Sequence, residues 1–333
     1  MNEITISELA SHANPAQFAG LPIANSRQNP YRCIPAASDS ALDPVWYAEI
    51  VDYASAGRVV VAQDGGDVVG VAVYVDLPWD SRILNRRMGV LKYVFVHPAY
   101  PRRQVIGLLL DRLIAWVMDR QIECLLGRAY ADDVATIHAL EERGFLLMDT
   151  LLDYVYDSER DPLNDVPRPA LSDPFSIRPA LAEDAEALKV LAQVVFDDHF
   201  GRFHSDERIP RSLATQIYQA WMTSSLAGYA DVVLVAEAGG RIAGCSIWKE
   251  PSPLEQRLGL RLGHYSIGLV HPDFHRRGLF SALTYAGMAE LDGRAALIEG
   301  PTHVNNYGVQ RGYTKLHWQI RDARHSFHKW LRG

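Results

Sequence analysis

The feature that most constrains this chain is a segment that occurs twice. His97-Pro98 and His271-Pro272 each close an apolar, strand-like run, and each is followed by two arginines, Arg102-Arg103 and Arg276-Arg277; both pairs are 174 residues apart (271 minus 97, 276 minus 102). Solenoid repeats have periods of roughly 20 to 50 residues, so a repeat of this length is a duplicated domain. A chain of 333 residues has room for two domains of ordinary size, each with its own core.

In the second copy, Ile267, Leu269 and Val270 suit a strand, Pro272 and Asp273 interrupt it, and Leu279, Leu283 and Ala286 continue at helical spacing. The first N–H groups of a helix have no intrahelical partner and sit at the positive end of its dipole, so such a junction binds anions. Gly278 permits close backbone approach, and Arg276 and Arg277 add charge for phosphate oxygens. The first copy has Gln104 in the place of Gly278, which puts a side chain where a phosphate should come close.

The remaining elements repeat in the same order. In the first half a helix is expected over 43–56, then two strands joined by the turn Asp64-Gly65-Gly66-Asp67, a loop at LPWDSRILNRR, a strand ending at Pro98, and a helix from Val105 to Arg120. A strand, a helix over 132–143 and a closing strand complete it. Residues 157–174 turn polar and proline-rich and read as a linker, which divides the chain into 1–156, the linker, and 175–333. The second half then gives a short strand and a helix, a second helix, a hairpin around Gly239-Gly240, the strand and helix described above, the strand ALIEGP, the helix NNYGVQRGYTKL and a last strand.

With 48% hydrophobic and 22% charged residues the composition is that of a soluble globular protein, and a net charge of −7 argues against nucleic acid as a partner. Cys33, Cys124 and Cys245 are too few and too scattered for a disulfide framework or a thiolate metal site, and no histidine spacing suggests a metal. No stretch reaches the roughly 20 apolar residues of a membrane span, so no membrane partner is expected and the location expected is the cytoplasm.

The order of elements, with HPDFHRRGLFSAL after the fourth strand of the second half and NNYGVQRGYTKL after the fifth, resembles the GCN5-related N-acetyltransferase (GNAT) superfamily. The family fingerprint Q/R-x-x-G-x-G/A reads here His275-Arg276-Arg277-Gly278-Leu279-Phe280, which keeps Gly278 and replaces the first position by His and the last by Phe. HFGRFHSDERIP, LPWDS, ADDVATIHALEERGF and SFHKWL are similar to two-part sugar N-acetyltransferases of the dTDP-fucosamine acetyltransferase type. The resemblance implies an α/β (α+β) fold of two tandem GNAT domains, each a mixed, mostly antiparallel sheet flanked by helices. It also implies acetyl-CoA as acyl donor, no metal, and a small-molecule amine as acceptor, an amino sugar or nucleotide-linked amino sugar first among them. The oligomeric state is left open, a homodimer being one option.

By the same resemblance the cofactor is held by main-chain donors near Leu269 and Val270, by the turn His275, Arg276, Arg277, Gly278, Leu279, Phe280 and Ser281, and by Asn306; Tyr313 protonates the departing thiolate. Asn306 also suits a helix cap, and Tyr313 also suits packing between helix and sheet. Glu299, at the end of the fifth strand of the second half, and His303, just after it, are the candidate bases, with His264 on the fourth strand behind them. Asp133 and Leu140 stand in the first copy where the second has Asn306 and Tyr313, which makes 1–156 the degenerate domain and 175–333 the catalytic one. Two alternatives keep the fold: another small-molecule or protein amine as acceptor, or an acyl-CoA sensor that transfers nothing.

Overall fold

The structure is a computed structural model that describes residues 3–55 and 58–332. In chain order its main elements begin with β1 (Thr5–Glu8), α1 (Asp43–Ala54), β2 (Val59–Asp64), β3 (Asp67–Asp76), α2 (Pro78–Leu84), β4 (Met88–Val96), α3 (Arg102–Asp119), β5 (Cys124–Tyr130) and α4 (Val134–Glu141). They continue with β6 (Leu146–Asp157), β7 (Phe175–Pro179), α5 (Ala185–Phe196), α6 (Arg211–Ser224), β8 (Val232–Ala238), β9 (Arg241–Lys249), α7 (Pro253–Arg257) and β10 (Leu262–Val270). Last come α8 (Leu279–Leu291), β11 (Leu297–His303), α9 (Tyr307–Lys315) and β12 (Gln319–Trp330). Ala56, the expected last residue of the first helix, lies outside the described residues.

The chain divides into two compact units, Met1–Asp149 with Arg324–Gly333, and Thr150–Ala323. Both have the same strand plan. In the first, β1 to β4 pair antiparallel in succession, β4 pairs parallel with β5 over three rungs from Met88↔Cys124 to Val90↔Leu126, and β5 pairs antiparallel with residues 324–330 of β12. In the second, β7 to β10 pair antiparallel, β10 pairs parallel with β11 over three rungs from Leu262↔Leu297 to His264↔Glu299, and β11 pairs antiparallel with residues 151–157 of β6.

The fold is thus mixed α/β, each sheet mostly antiparallel and flanked by helices. The division differs from the sequence reading at both ends. The closing strand of each sequence half completes the other half's sheet: residues 151–157 belong to the second unit and 324–330 to the first. The stretch expected as a linker is also packed rather than free, since Val166 is buried among Tyr154, Tyr156 and Trp318 in the second unit. The expected loop at LPWDSRILNRR contains α2, begun by Pro78 in its first turn and joined to β4 through Ser81, whose Oγ donates to Leu77 O (2.6 Å) and accepts from Met88 N–H (2.9 Å).

Burial explains which faces the helices cover. In the first unit α3 lays Val105, Leu109, Leu110 and Leu113 on the sheet residues Val60, Ala72 and Val94. In the second unit α5 and α6 cover one face through Leu188, Leu191 and Met222 against Cys245, Ile247 and Leu269. The other face holds Tyr265, Trp248 and Ile298 against Met288 and Leu291 of α8 and Tyr313 of α9. Each large side chain so buried contributes about 1.5–3 kcal/mol. Among the described residues no helix is long and apolar enough to cross a membrane.

Candidate active site

The parallel pairing of β10 with β11 stops at the rung His264↔Glu299, and β10 shifts register against β9 between Tyr265 and Ile267. Beyond that point the edge of β10 that faces β11 is open. His271 N–H donates to Ala243 O at 2.8 Å. In an antiparallel ladder this fixes the alternation: Leu269 N–H also faces β9, whereas Gly268 and Val270 N–H face away from it. Val270 O, on that same side, accepts from His275 Nε2–H at 3.1 Å rather than from a strand. Leu269, expected as a main-chain donor, is therefore turned to the wrong side, and its side chain is buried in the core beneath α5. Gly268, which the sequence reading did not include, has its N–H on the same outward side as that of Val270.

The turn after β10 has the form an anion site needs. Arg276 (φ 62°) and Gly278 (φ 79°) are both left-handed, and Gly278 is the N-cap of α8 with no side-chain cap bond. The first α8 backbone bond is Ala282 N–H to Gly278 O, so the N–H groups of Leu279, Phe280 and Ser281 have no helical acceptor. His275, Arg276 and Arg277 are exposed, and among the described residues neither arginine makes an ion pair. Arg277 lies beside Phe175 and Phe274, at 5.8 and 5.9 Å from their ring centres.

Phe280 departs from the family fingerprint for a packing reason. Its ring meets Tyr313 at 5.6 Å and fills the space over Gly312, where an added Cβ would come within 2.6 Å of it. Leu279 is buried as well. Both residues present only main-chain donors to the turn.

Tyr313 is 2% exposed, stacked on Trp318 at 4.7 Å and tilted against Tyr154 at 5.0 Å. Its hydroxyl lies over β11 at Gly300, where a Cβ would stand 2.7 Å from it. Burial raises this phenol well above its ordinary value of 10, so it stays protonated at neutral pH. Asn306 caps α9, its Oδ1 accepting from Val309 N–H at 3.4 Å, and its NH₂ has no partner among the described residues.

The opposite face of the same sheet carries the titratable groups. Alternation turns His264 and Glu299 away from their neighbours Tyr265 and Ile298 and toward the α5/α6 side. His264 Nε2 is 2.9 Å from Glu255 Oε1, and His264 Nδ1 is 3.9 Å from Glu299 Oε1. Burial lowers the imidazole, but the bond to Glu255 and the charges of Glu255 and Glu299 outweigh it, so His264 is raised above 6.5. Glu255, on α7, carries no signal in the sequence apart from the capping pattern Ser252-x-x-Glu255, and the sequence reading missed it.

His303 shares the face of Glu299, two strand periods further on. It is not brought to His264: its ring packs on exposed Phe200 at 4.5 Å, and its Nδ1 accepts from Asn305 N–H at 3.3 Å. The loop that carries Phe200 is braced by His204, whose Nε2 is 3.1 Å from Thr215 Oγ1 and which burial depresses to about 4, so it stays neutral. The structure thus places a buried phenol on one face of the sheet and an imidazole with two carboxylates on the other, both at the point where β10 and β11 part.

Residues 24–145 match the model of the acetyltransferase (GNAT) family. That match falls in the first copy, the one without the glycine. The fold of the whole chain is that of tandem GNAT proteins: it is similar to a tandem GNAT protein from the clavulanic acid biosynthesis pathway, with a TM-score of 0.61, 15% identity and 99% of each chain covered. A GCN5-related N-acetyltransferase from Sphaerobacter thermophilus gives a TM-score of 0.61 and 15% identity, covering 99% of this chain and 96% of that one. Among curated proteins, the spore coat polysaccharide biosynthesis protein SpsD of Bacillus subtilis (strain 168) is 25% identical over 184 residues, 53% of this chain. The chain covers 56% of the length of that relative.

Proposed function

We propose that the second unit is an acetyl-CoA-dependent N-acetyltransferase whose acceptor is the primary amine of an amino sugar, free or nucleotide-linked. The observation that carries this reading is the arrangement at the β10/β11 parting: a proton donor on one face, proton acceptors on the other, and main-chain donors between them. The turn from His275 to Ser281 binds the pyrophosphate of acetyl-CoA through unpaired N–H groups and two unneutralised arginines. Asn306 NH₂ and the outward N–H of Gly268 and Val270 bind the rest of the donor, and one of those N–H groups polarises the thioester carbonyl. The acceptor arrives as an ammonium on the α5/α6 face and loses one proton to the His264–Glu299 pair. Its nitrogen then forms the C–N bond as the C–S bond breaks. Tyr313 protonates the thiolate and recovers a proton from the new amide nitrogen.

Two features support a sugar acceptor: the distant likeness to a protein of polysaccharide biosynthesis, and exposed Phe200 on His303, a flat apolar surface suited to a pyranose face. The test is a thiol-release assay with acetyl-CoA across free and nucleotide-linked amino sugars, polyamines, aminoglycosides and peptide amines. Release with amino sugars is the expected result. Release only with another amine removes the sugar assignment, and no release with any acceptor removes the enzyme assignment.

A further inference from the structure

Glu255 is nearly inaccessible, and both of its carboxylate oxygens are engaged. Oε2 accepts from Ser252 N–H at 2.6 Å, and Oε1 faces His264 Nε2 at 2.9 Å. The first contact belongs to the capping box of α7, in which Ser252 Oγ accepts from Glu255 N–H. A helix cap needs only one oxygen. The other is committed to an imidazole nine residues away, at the last rung before β10 and β11 separate.

We infer that Glu255 is a positioning residue for the acyl transfer: it holds His264 in the tautomer with the proton on Nε2, leaving the Nδ1 lone pair beside Glu299 to accept the acceptor's proton. This rests on the acetyl-transfer reading above. A carboxylate can only accept, so the ring nitrogen facing it must carry the hydrogen. Nδ1 is then the basic atom, and it lies on the side of the ring that faces Glu299 and the open edge of β11. The proton taken from the ammonium makes His264 an imidazolium between two carboxylates, and it leaves to solvent after the amide forms. Among the described residues, the charged groups acting on the ring are Glu255 on α7, Glu299 on β11 and Lys249 on β9.

The cap supplies the test. In Glu255→Gln the amide oxygen remains opposite Ser252 N–H, so the NH₂ must take the place of Oε1 and donate to His264 Nε2. The imidazole is then driven to the tautomer with Nδ1 protonated, and its basic lone pair points away from the acceptor. The known cost of such a tautomer reversal in a carboxylate–histidine pair reaches about 10⁴-fold, and a fall in kcat of about 10²-fold or more is expected here. Glu255→Ala loses the cap but leaves the ring free to choose its tautomer, so it should lose less kcat than Glu255→Gln, with KM for acetyl-CoA unchanged in both. Its remaining pH–rate profile should have an acid limb at lower pH than wild type, because a carboxylate that raised the imidazole is gone.

A purely structural Glu255 predicts the reverse order, since the amide preserves the cap and alanine does not. Thermal melts of both variants establish that they are folded. Glu255→Gln as active as wild type, or more active than Glu255→Ala, overturns the inference while the transferase reading stands. A wild type that acetylates nothing overturns both.

Discussion

At the start of α3, Arg102 and Arg103 meet carboxylates of their own unit; at the start of α8, Arg276 and Arg277 meet none among the described residues. Arg102 Nη2 is 2.7 Å from Asp133 Oδ2, a buried oxygen that Gln28 and Thr136 also hold, and Arg103 pairs with Glu142. Glu142 lines a recess of about 520 Å³ beside Arg102, Arg103 and Gln104. The two helices also begin differently. α3 begins at Arg102, right after Pro101, so Gln104 lies inside its first turn, whereas α8 waits for the left-handed Gly278. The same pair of arginines is neutralised internally in one copy and offered outward in the other. A duplicated scaffold can thus keep the arginine pair and neutralise it from within, with no loss of fold.

Four changes would break or sharpen this contrast. The largest effect is expected at the phenol: Tyr313→Phe should lower turnover about 10²-fold or more with little change in acetyl-CoA affinity, measured by thiol release and calorimetry. Unchanged turnover would leave Tyr313 as packing alone. Next, Gly278→Glu places a side chain at φ 79° and a carboxylate among the phosphate donors, and should weaken acetyl-CoA binding at least about tenfold. Gln104→Gly in the first unit should leave binding unchanged. Calorimetry that finds two sites in the wild type would end the contrast.

The smallest effect concerns the internal pair. Asp133→Asn should lower the stability of the first unit by about 1–3 kcal/mol, read by urea unfolding, without altering acetyl-CoA affinity. Burial pushes the Asp133 carboxyl up, but the bonds from Gln28, Arg102 and Thr136 outweigh it and hold it below the ordinary carboxylate range. Its contribution is therefore complete above the unfolded carboxylate value and is lost as pH falls through the depressed folded value. The asparagine variant should lack that part of the acid sensitivity.

The repeat was legible because identical spacing of His-Pro and Arg-Arg survives where other residues have changed. The glycine turn was legible because left-handed backbone strongly favours glycine, and Arg276, the other left-handed residue, was not foreseen for the same reason. α2 was missed: seven residues are too few to show a period, and Pro78 reads as a breaker although it suits a first turn. Leu269 and Val270 could not be told apart, since a strand's sequence does not say which neighbour each N–H faces. Glu255 was not singled out in the sequence; only the fold of α7 against β10 brings His264 to its second oxygen.

The sequence by itself determined the duplication, the fold class, the turn at Gly278 and the loss of that glycine in the first copy, because these depend on local backbone preference and side-chain periodicity. The tertiary structure decided which strand closes each sheet: residues 324–330 pair with β5 and residues 151–157 with β11. It also decided which main-chain donors face outward, that Asp133 pairs with Arg102, and that Glu255, His264 and Glu299 form one chain of contacts. Those outcomes depend on distances between residues far apart in the chain, which residue order alone does not encode.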